Sequence, residues 1–130
     1  MTTNATITVY NRYLTGPGEY SLRRTVIRGV WWHADQRVTV SEDGVQSGDA
    51  YKVRIPLHAD FGGSAYVPPW EFEGAEGTWT LNGDDYVMRG EGPEVERLKD
   101  LQKEKYPVFR ITSWADDRFG SLPHWRIGGV

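Results

Sequence analysis

The residues best suited to chemistry are three histidines and two pairs of acids. The tripeptide His-Ala-Asp occurs twice, as His33-Ala34-Asp35 and His58-Ala59-Asp60, and His-x-Asp can set an imidazole and a carboxylate on one metal ion. Each copy directly follows a strand pattern, where polar turn residues belong, and a third histidine, His124, would have to converge on them. Asp84-Asp85 and Asp116-Asp117 offer adjacent carboxyls, but glycoside hydrolysis needs two carboxyls across a cleft, one with a raised pKa. Both pairs fall in predicted hairpin turns near glycine, where acids solvate the turn. Ser113 and Ser121 have no Gly-x-Ser-x-Gly elbow, and no Gly-x-Gly-x-x-Gly or phosphate-loop pattern is present. With no cysteine there is neither a thiolate nucleophile nor a disulfide framework. The reading is a non-enzyme with no cofactor and no metal.

Six tryptophans in 130 residues are the other route to a ligand, because indole faces stack on sugar rings and also serve cores and interfaces. Trp79 and Trp114 share strands with aliphatic neighbours and read as core. Adjacent Trp31 and Trp32 must point to opposite faces of a strand. Trp70, after Pro68-Pro69, is the best candidate for exposure, and a carbohydrate-binding β-domain is the alternative function on this route.

The elements that position these residues are mostly strands. Residues 48–57 carry the clearest signal: Tyr51, Val53, Ile55 and Leu57 alternate with Lys52, Arg54 and Pro56, a strand with one apolar and one wet face. Pro56 cannot donate to a ladder, so the strand ends there or lies at an edge at that point. Thr6–Tyr10 and Arg23–Trp32 precede it. In the latter, Val26, Val30 and Trp32 alternate with Ile27 and Trp31, and Gly29 marks a bend or bulge. Arg37–Val40 is a short strand before Ser41-Glu42-Asp43-Gly44. Residues 58–77 form a long loop rich in Gly, Pro and aromatics, of a length that in compact domains goes with function or disorder. Asn82-Gly83-Asp84-Asp85 predicts a hairpin between Thr78–Leu81 and Tyr86–Arg89, with Trp79 and Leu81 on one face. Pro93–Glu104, with Pro first, acids early and Val95, Leu98, Leu101 and Gln102 on one stripe, predicts a helix. Strands follow at Val108–Trp114, with Phe109 and Ile111 on one face, and at His124–Ile127. The expectation is one domain over 1–130, mostly β: a small antiparallel β-barrel or sandwich of about seven or eight strands with one late α-helix and one long loop. No run approaches the roughly 18 apolar residues of a membrane span, and no export signal is read.

The net charge of −3 argues against a dedicated nucleic-acid binder, but the charge is unevenly placed. Residues 1–40 hold Arg12, Arg23, Arg24, Arg28 and Arg37 against Glu19 and Asp35, whereas residues 70–92 hold Glu71, Glu73, Glu76, Asp84, Asp85 and Glu91 against Arg89. One reading is a head-to-tail contact in which the basic part of one copy meets the acidic part of the next; the other is ordinary solvated surface.

The order of strings is distinctive: Asn4-Ala-Thr-Ile-Thr-Val-Tyr-Asn-Arg12, Arg24-Thr-Val-Ile-Arg-Gly-Val-Trp-Trp32, Asp49 to Pro56, Ala59-Asp60-Phe61-Gly62-Gly63, Asp117-Arg118-Phe119-Gly120 and His124-Trp-Arg-Ile-Gly-Gly129. Over nearly the whole chain these resemble an uncharacterised family of short proteins encoded among the virion structural genes of tailed phages and prophages of Gram-positive bacteria. A looser similarity runs to head-closure and head–tail joining proteins, small β-barrels that assemble as a ring beneath the portal. The resemblance implies a virion protein, made in the host cytoplasm, that acts as a head–tail connector or as a tail or minor capsid subunit. Its partners would be itself, in a homo-oligomeric ring, and other virion proteins such as the portal, with passive lining of a DNA channel and no membrane. The candidate assembly surface is Arg23, Arg24, Arg28, Lys52, Arg54, Phe61, Tyr66, Trp70, Glu71, Phe72 and Glu73.

Overall fold

The computed structural model describes residues 3–34, 39–41, 44–46 and 50–130; Asp35 and Arg37 lie outside them. Among the described residues ten strands form, more than the seven or eight expected: β1 (Ala5–Gly16), β2 (Glu19–Ala34), β3 (Thr39–Ser41), β4 (Gly44–Gln46), β5 (Tyr51–Pro56), β6 (Ala65–Tyr66), β7 (Thr78–Trp79), β8 (Tyr86–Arg89), β9 (Val108–Asp117) and β10 (His124–Gly129). Six of them close a barrel in the order β1-β2-β5-β10-β9-β8, and every neighbouring pair is antiparallel. The expected class, mostly β and built on an antiparallel barrel, is the one that forms. β3 and β4 pair with each other, and β6 pairs with β7 in parallel.

The barrel closes because each strand turns a bulky apolar face inward. Ile7 and Val9 of β1, Ile27, Val30 and Trp32 of β2, Val53 and Ile55 of β5, Val87 of β8, Phe109 and Ile111 of β9, and Trp125 and Ile127 of β10 make one buried cluster. Each such side chain contributes about 1.5–3 kcal/mol by leaving water. β5 behaves as its alternation predicts up to Pro56, where the ladder to β2 has already stopped at Arg54. Leu57, expected on the buried face, is instead 52% exposed: the strand has ended and the chain turns outward.

Gly29 corrects the face assignment within β2. Ile27 is buried with Val30 and Trp32, whereas Val26 is only half-buried. The register jumps from Thr6↔Arg28 to Ala5↔Val30, so Gly29 is a bulge that moves the even-numbered residues after it to the inside. Its φ of 85° is left-handed. The bulge leaves the Arg28 N–H and C=O free to bond the Asp60 C=O and N–H, both at 2.9 Å, which moors the start of the long loop. Gly29→Ala meets no clash but must hold the left-handed conformation, so a loss of about 1–2 kcal/mol is expected, measurable by urea unfolding.

Three further expectations are corrected. The predicted 78–89 hairpin does not form, because β7 pairs with β6 and β8 with β1 and β9; Trp79 and Leu81 do share the buried side. The predicted helix over 93–104 shrinks to one 3₁₀ segment, Leu98–Lys103. Its start is held extended: the Pro93 carbonyl accepts the Tyr10 hydroxyl at 2.7 Å, and the Gly92 carbonyl accepts Arg24 Nε at 2.6 Å. Among the described residues of this stretch only Leu101 is fully buried, against Tyr10 and Met88, and a short turn suffices for that, while an isolated helix of this length is marginal. Finally, 58–77 is not one loose loop, since β6 lies inside it.

Candidate assembly interface

Strand direction sorts the connections between two ends of the barrel. The β1–β2 turn at 17–18, the segment 57–85 between β5 and β8, and the β9–β10 turn at 118–123 share one end, while 90–107 lies at the other. At the first end the segment 57–85 folds an aromatic plug over the barrel mouth. Phe61 stacks on Trp79 at 5.5 Å, Tyr66 meets Trp79 edge-on at 5.0 Å and Trp125 at 5.2 Å, and Trp79 meets Trp125 at 5.1 Å. Arg118 lies over Tyr66 and Trp125 at 5.0 and 5.2 Å and is held by both oxygens of Asp116 at 2.8 and 2.7 Å. The hydrogen bonds from Arg118 hold the Asp116 carboxyl below the usual range, and burial pushes the Tyr66 hydroxyl up.

Phe61 and Tyr66 therefore belong to the closure of the barrel and not to its outer surface. The arginines of β2 are also turned to internal use. Arg23 donates to the Gly74 carbonyl at 2.9 and 2.6 Å, Arg24 to the Gly92 carbonyl, and Arg28 pairs with Glu91. The basic and acidic halves of the sequence thus meet within one chain. Phe72 packs edge-on against Tyr13 at 6.5 Å, and Gly74 lies so close to the Tyr13 ring that a Cβ would fall 2.3 Å from it.

The acids and histidines take structural places. Asp85, read as turn solvation, is instead 2% exposed. Its carboxylate accepts Asn11 Nδ2 at 3.0 Å and the Arg12 N–H and Nε, both at 3.3 Å, continuing the β8 edge one step past Tyr86. Asn11, also buried, donates to the Thr80 carbonyl at 2.8 Å and accepts the Thr80 N–H at 3.1 Å. Desolvation raises the Asp85 pKa, against the lowering pull of its donors. Asp84 is exposed and 3.6 Å from Arg110, and Asp117 ends β9. His33 stacks on Trp31 at 5.6 Å and His58 is exposed in a turn; the described residues contain no cluster of three potential metal ligands.

Beside the exposed acids Glu71, Glu73 and Glu76, the plugged end turns large apolar side chains outward. Phe119 is 93% exposed, Trp70 77%, Leu14 64%, Leu122 60% and Tyr20 58%, and with Leu57 they surround the turns of this end. Leu57 and Leu122 also line a shallow cleft with Pro56, His58 and Pro123. Among the described residues, the other exposed large apolar side chains are Tyr106 and Val130. Phe119, Leu122, Leu14 and Tyr20 escaped the sequence reading; a large apolar residue inside a polar turn, as in Asp117-Arg118-Phe119-Gly120, was the available signal. Around the barrel, the outward residues of β5 and β10 bring Lys52, Arg54 and Arg126 together, with Arg54 directly opposite Arg126 and its guanidinium 5.2 Å above Trp31.

A family model described as a family of unknown function (DUF6751) matches residues 1–130. No curated protein and no solved structure matches the chain.

Proposed function

The chain belongs to this family of unknown function, and we propose for it a non-enzymatic structural role in a tailed-phage or prophage virion, as a head–tail connector or head-closure subunit, with a tail or minor capsid subunit as the nearest variant. It is made in the host cytoplasm and takes its place in the virion as a ring that meets the portal or a tail component. The observation that carries this reading is the exposure of Leu14, Tyr20, Leu57, Trp70, Phe119 and Leu122 at one end, with Leu14 paired to Tyr20 and Leu57 sharing a cleft with Leu122, since clustered exposed apolar side chains mark a contact site. The plug beneath them is rigid, which suits a docking face that must not reshape on assembly. The motif strings at both termini of the chain support the same class by resemblance.

The test is reconstitution with the portal and neighbouring virion proteins encoded beside this chain, read by mass photometry. Association is expected, and Phe119→Ser with Leu122→Ser should weaken it about a hundredfold or more while leaving the melting temperature nearly unchanged, as exposed anchors contribute to binding and little to folding. A carbohydrate-binding domain is the second reading, favoured by the exposure of Trp70. Of the other indoles, Trp32, Trp79 and Trp125 are buried, Trp114 packs against the core, and Trp31 lies between His33 and Arg54. A chain that ignores the virion proteins, stays monomeric and changes its tryptophan fluorescence on glycan titration would establish that reading in place of the first.

A further inference from the structure

Among the described residues, two surfaces of opposite charge carry side chains that form no ion pair. The first is a wall on β5 and β10: Lys52, Arg54 and Arg126 are exposed, and among the described residues none forms an ion pair with a carboxylate. Like charges directly opposite in a ladder repel, so the Arg54–Arg126 pairing costs stability in the isolated chain and is relieved by an anion. The second is the stretch 70–76 at the plugged end, where Glu71, Glu73 and Glu76 are exposed and likewise form no ion pair among the described residues. This stretch is fixed in place by the Arg23–Gly74 and Tyr13–Phe72 contacts. It leans on β1 and β2, whereas the wall faces outward from β5 and β10. The two are held on different parts of one closed barrel, so they do not meet within one copy.

We infer that the partner of the basic wall is the acidic 70–76 stretch of a second copy of this chain, in a repeating head-to-tail contact. Such a contact uses two different patches and closes into a ring when its rotation allows. Trp70, beside Glu71, would bring its exposed ring against the Trp31–Arg54 pair, and Trp and Arg are the side chains most enriched at contact hot spots. The sign of the whole chain, −3, favours this occupant over a nucleic acid. The inference rests on the ring reading above and specifies its lateral contact, which takes Trp70 and leaves Leu14, Tyr20, Leu57, Phe119 and Leu122 for the axial neighbour.

Two variants test it: Lys52→Glu/Arg54→Glu/Arg126→Glu reverses the wall, and Glu71→Lys/Glu73→Lys/Glu76→Lys reverses the stretch. Both sets are exposed, so both variants should melt like the wild type. At low salt the wild type should self-associate, alone or on the portal, and each variant alone should do so about tenfold or more weakly. An equimolar mixture of the two should assemble again, because each then meets its complement. If the wild type assembles and neither reversal matters, the lateral contact lies elsewhere and the ring reading stands without this inference. If the wild type never assembles, at millimolar concentration or with the portal, both fall. If wall reversal abolishes binding of a labelled DNA duplex and leaves assembly intact, the wall is a nucleic-acid site and the inference is overturned.

Discussion

Trp79→Ala is expected to destabilise the protein by about 3–5 kcal/mol, which for a domain of this size lowers the melting temperature by roughly 10–20 °C. Trp79 has no exposed surface and stands between Phe61, Tyr66 and Trp125, each with its ring centre 5.0 to 5.5 Å away. Removing it opens a cavity that three aromatic rings, fixed by the β6–β7 pairing and by Arg118, cannot collapse to fill. The loss reaches further than the core. Tyr66 and Trp125 form the bed on which Arg118 rests, and Arg118 also lies 5.8 Å from the Phe119 ring, so the plug positions the exposed apolar end. Urea unfolding checks the stability, and near-ultraviolet circular dichroism should lose its aromatic signal at the plug. Trp70→Ala, at a residue 77% exposed, should stay within about 0.5 kcal/mol of the wild type. If the two substitutions cost the same, the assignment of one tryptophan to the plug and the other to the surface fails.

Asn11→Ala should cost a comparable amount, about 3–5 kcal/mol, because it removes the partner of a buried charge. The substitution strips the Thr80 N–H and carbonyl of their side-chain partners and leaves the Asp85 carboxylate with Arg12 alone. A pH signature separates this effect from a packing defect. Burial raises the folded-state pKa of Asp85 above an unfolded value of about 3.9, so between those two values the folded protein binds more protons than the unfolded chain. The contribution of Asp85 is therefore fully present below the unfolded value and is lost as pH rises through the folded one. Asp116 has the opposite sign: Arg118 lowers its pKa, so its contribution is present above the unfolded value and is lost as pH falls through the folded one. Melting curves from about pH 7 to about pH 3 should show the advantage of the wild type over Asp85→Asn growing on acidification, and its advantage over Asp116→Asn shrinking. A matching trend for the two variants would contradict the burial of one acid and the pairing of the other.

The contrast between Asp85 and Asp116 shows where local pattern stops being informative. Both stand in acidic pairs near glycine, and by sequence both read as solvated turns. Asp85 is buried because β1 outruns β8 and the end of its edge needs an acceptor, a fact about strand lengths in a closed sheet. Asp116 lies inside β9 because that strand runs three residues past its predicted end at Trp114, paired to β10 as far as Asp117↔His124. The arginines of β2 show the same limit. Their sign and number are visible in the sequence, but Arg23 and Arg24 are satisfied by the carbonyls of Gly74 and Gly92, and a carbonyl partner leaves no trace in charge counting. Among the described residues these internal contacts leave Lys52, Arg54 and Arg126, and Glu71, Glu73 and Glu76, without an ion pair.

By itself the sequence determined the mostly β class, the inward faces of β5 and the first part of β9, the turn at Asn82–Asp85, the bulge at Gly29 and the exposure of Trp70. Period-two alternation, β-branching and glycine punctuation act over a few residues and need no knowledge of partners. Only the tertiary structure decided that β7 pairs with β6 and not with β8, that residues 93–104 form a single tight turn and no α-helix, that Phe61 and Tyr66 plug the barrel, and that the apolar turns gather at one end. Each of these depends on which strands become neighbours when the sheet closes, a choice set by the summed burial of the whole core and by long-range acceptors for backbone donors. The alternation along Lys52, Arg54 and Arg126 could be read one strand at a time, but their joining into one face required β5 and β10 to be neighbours.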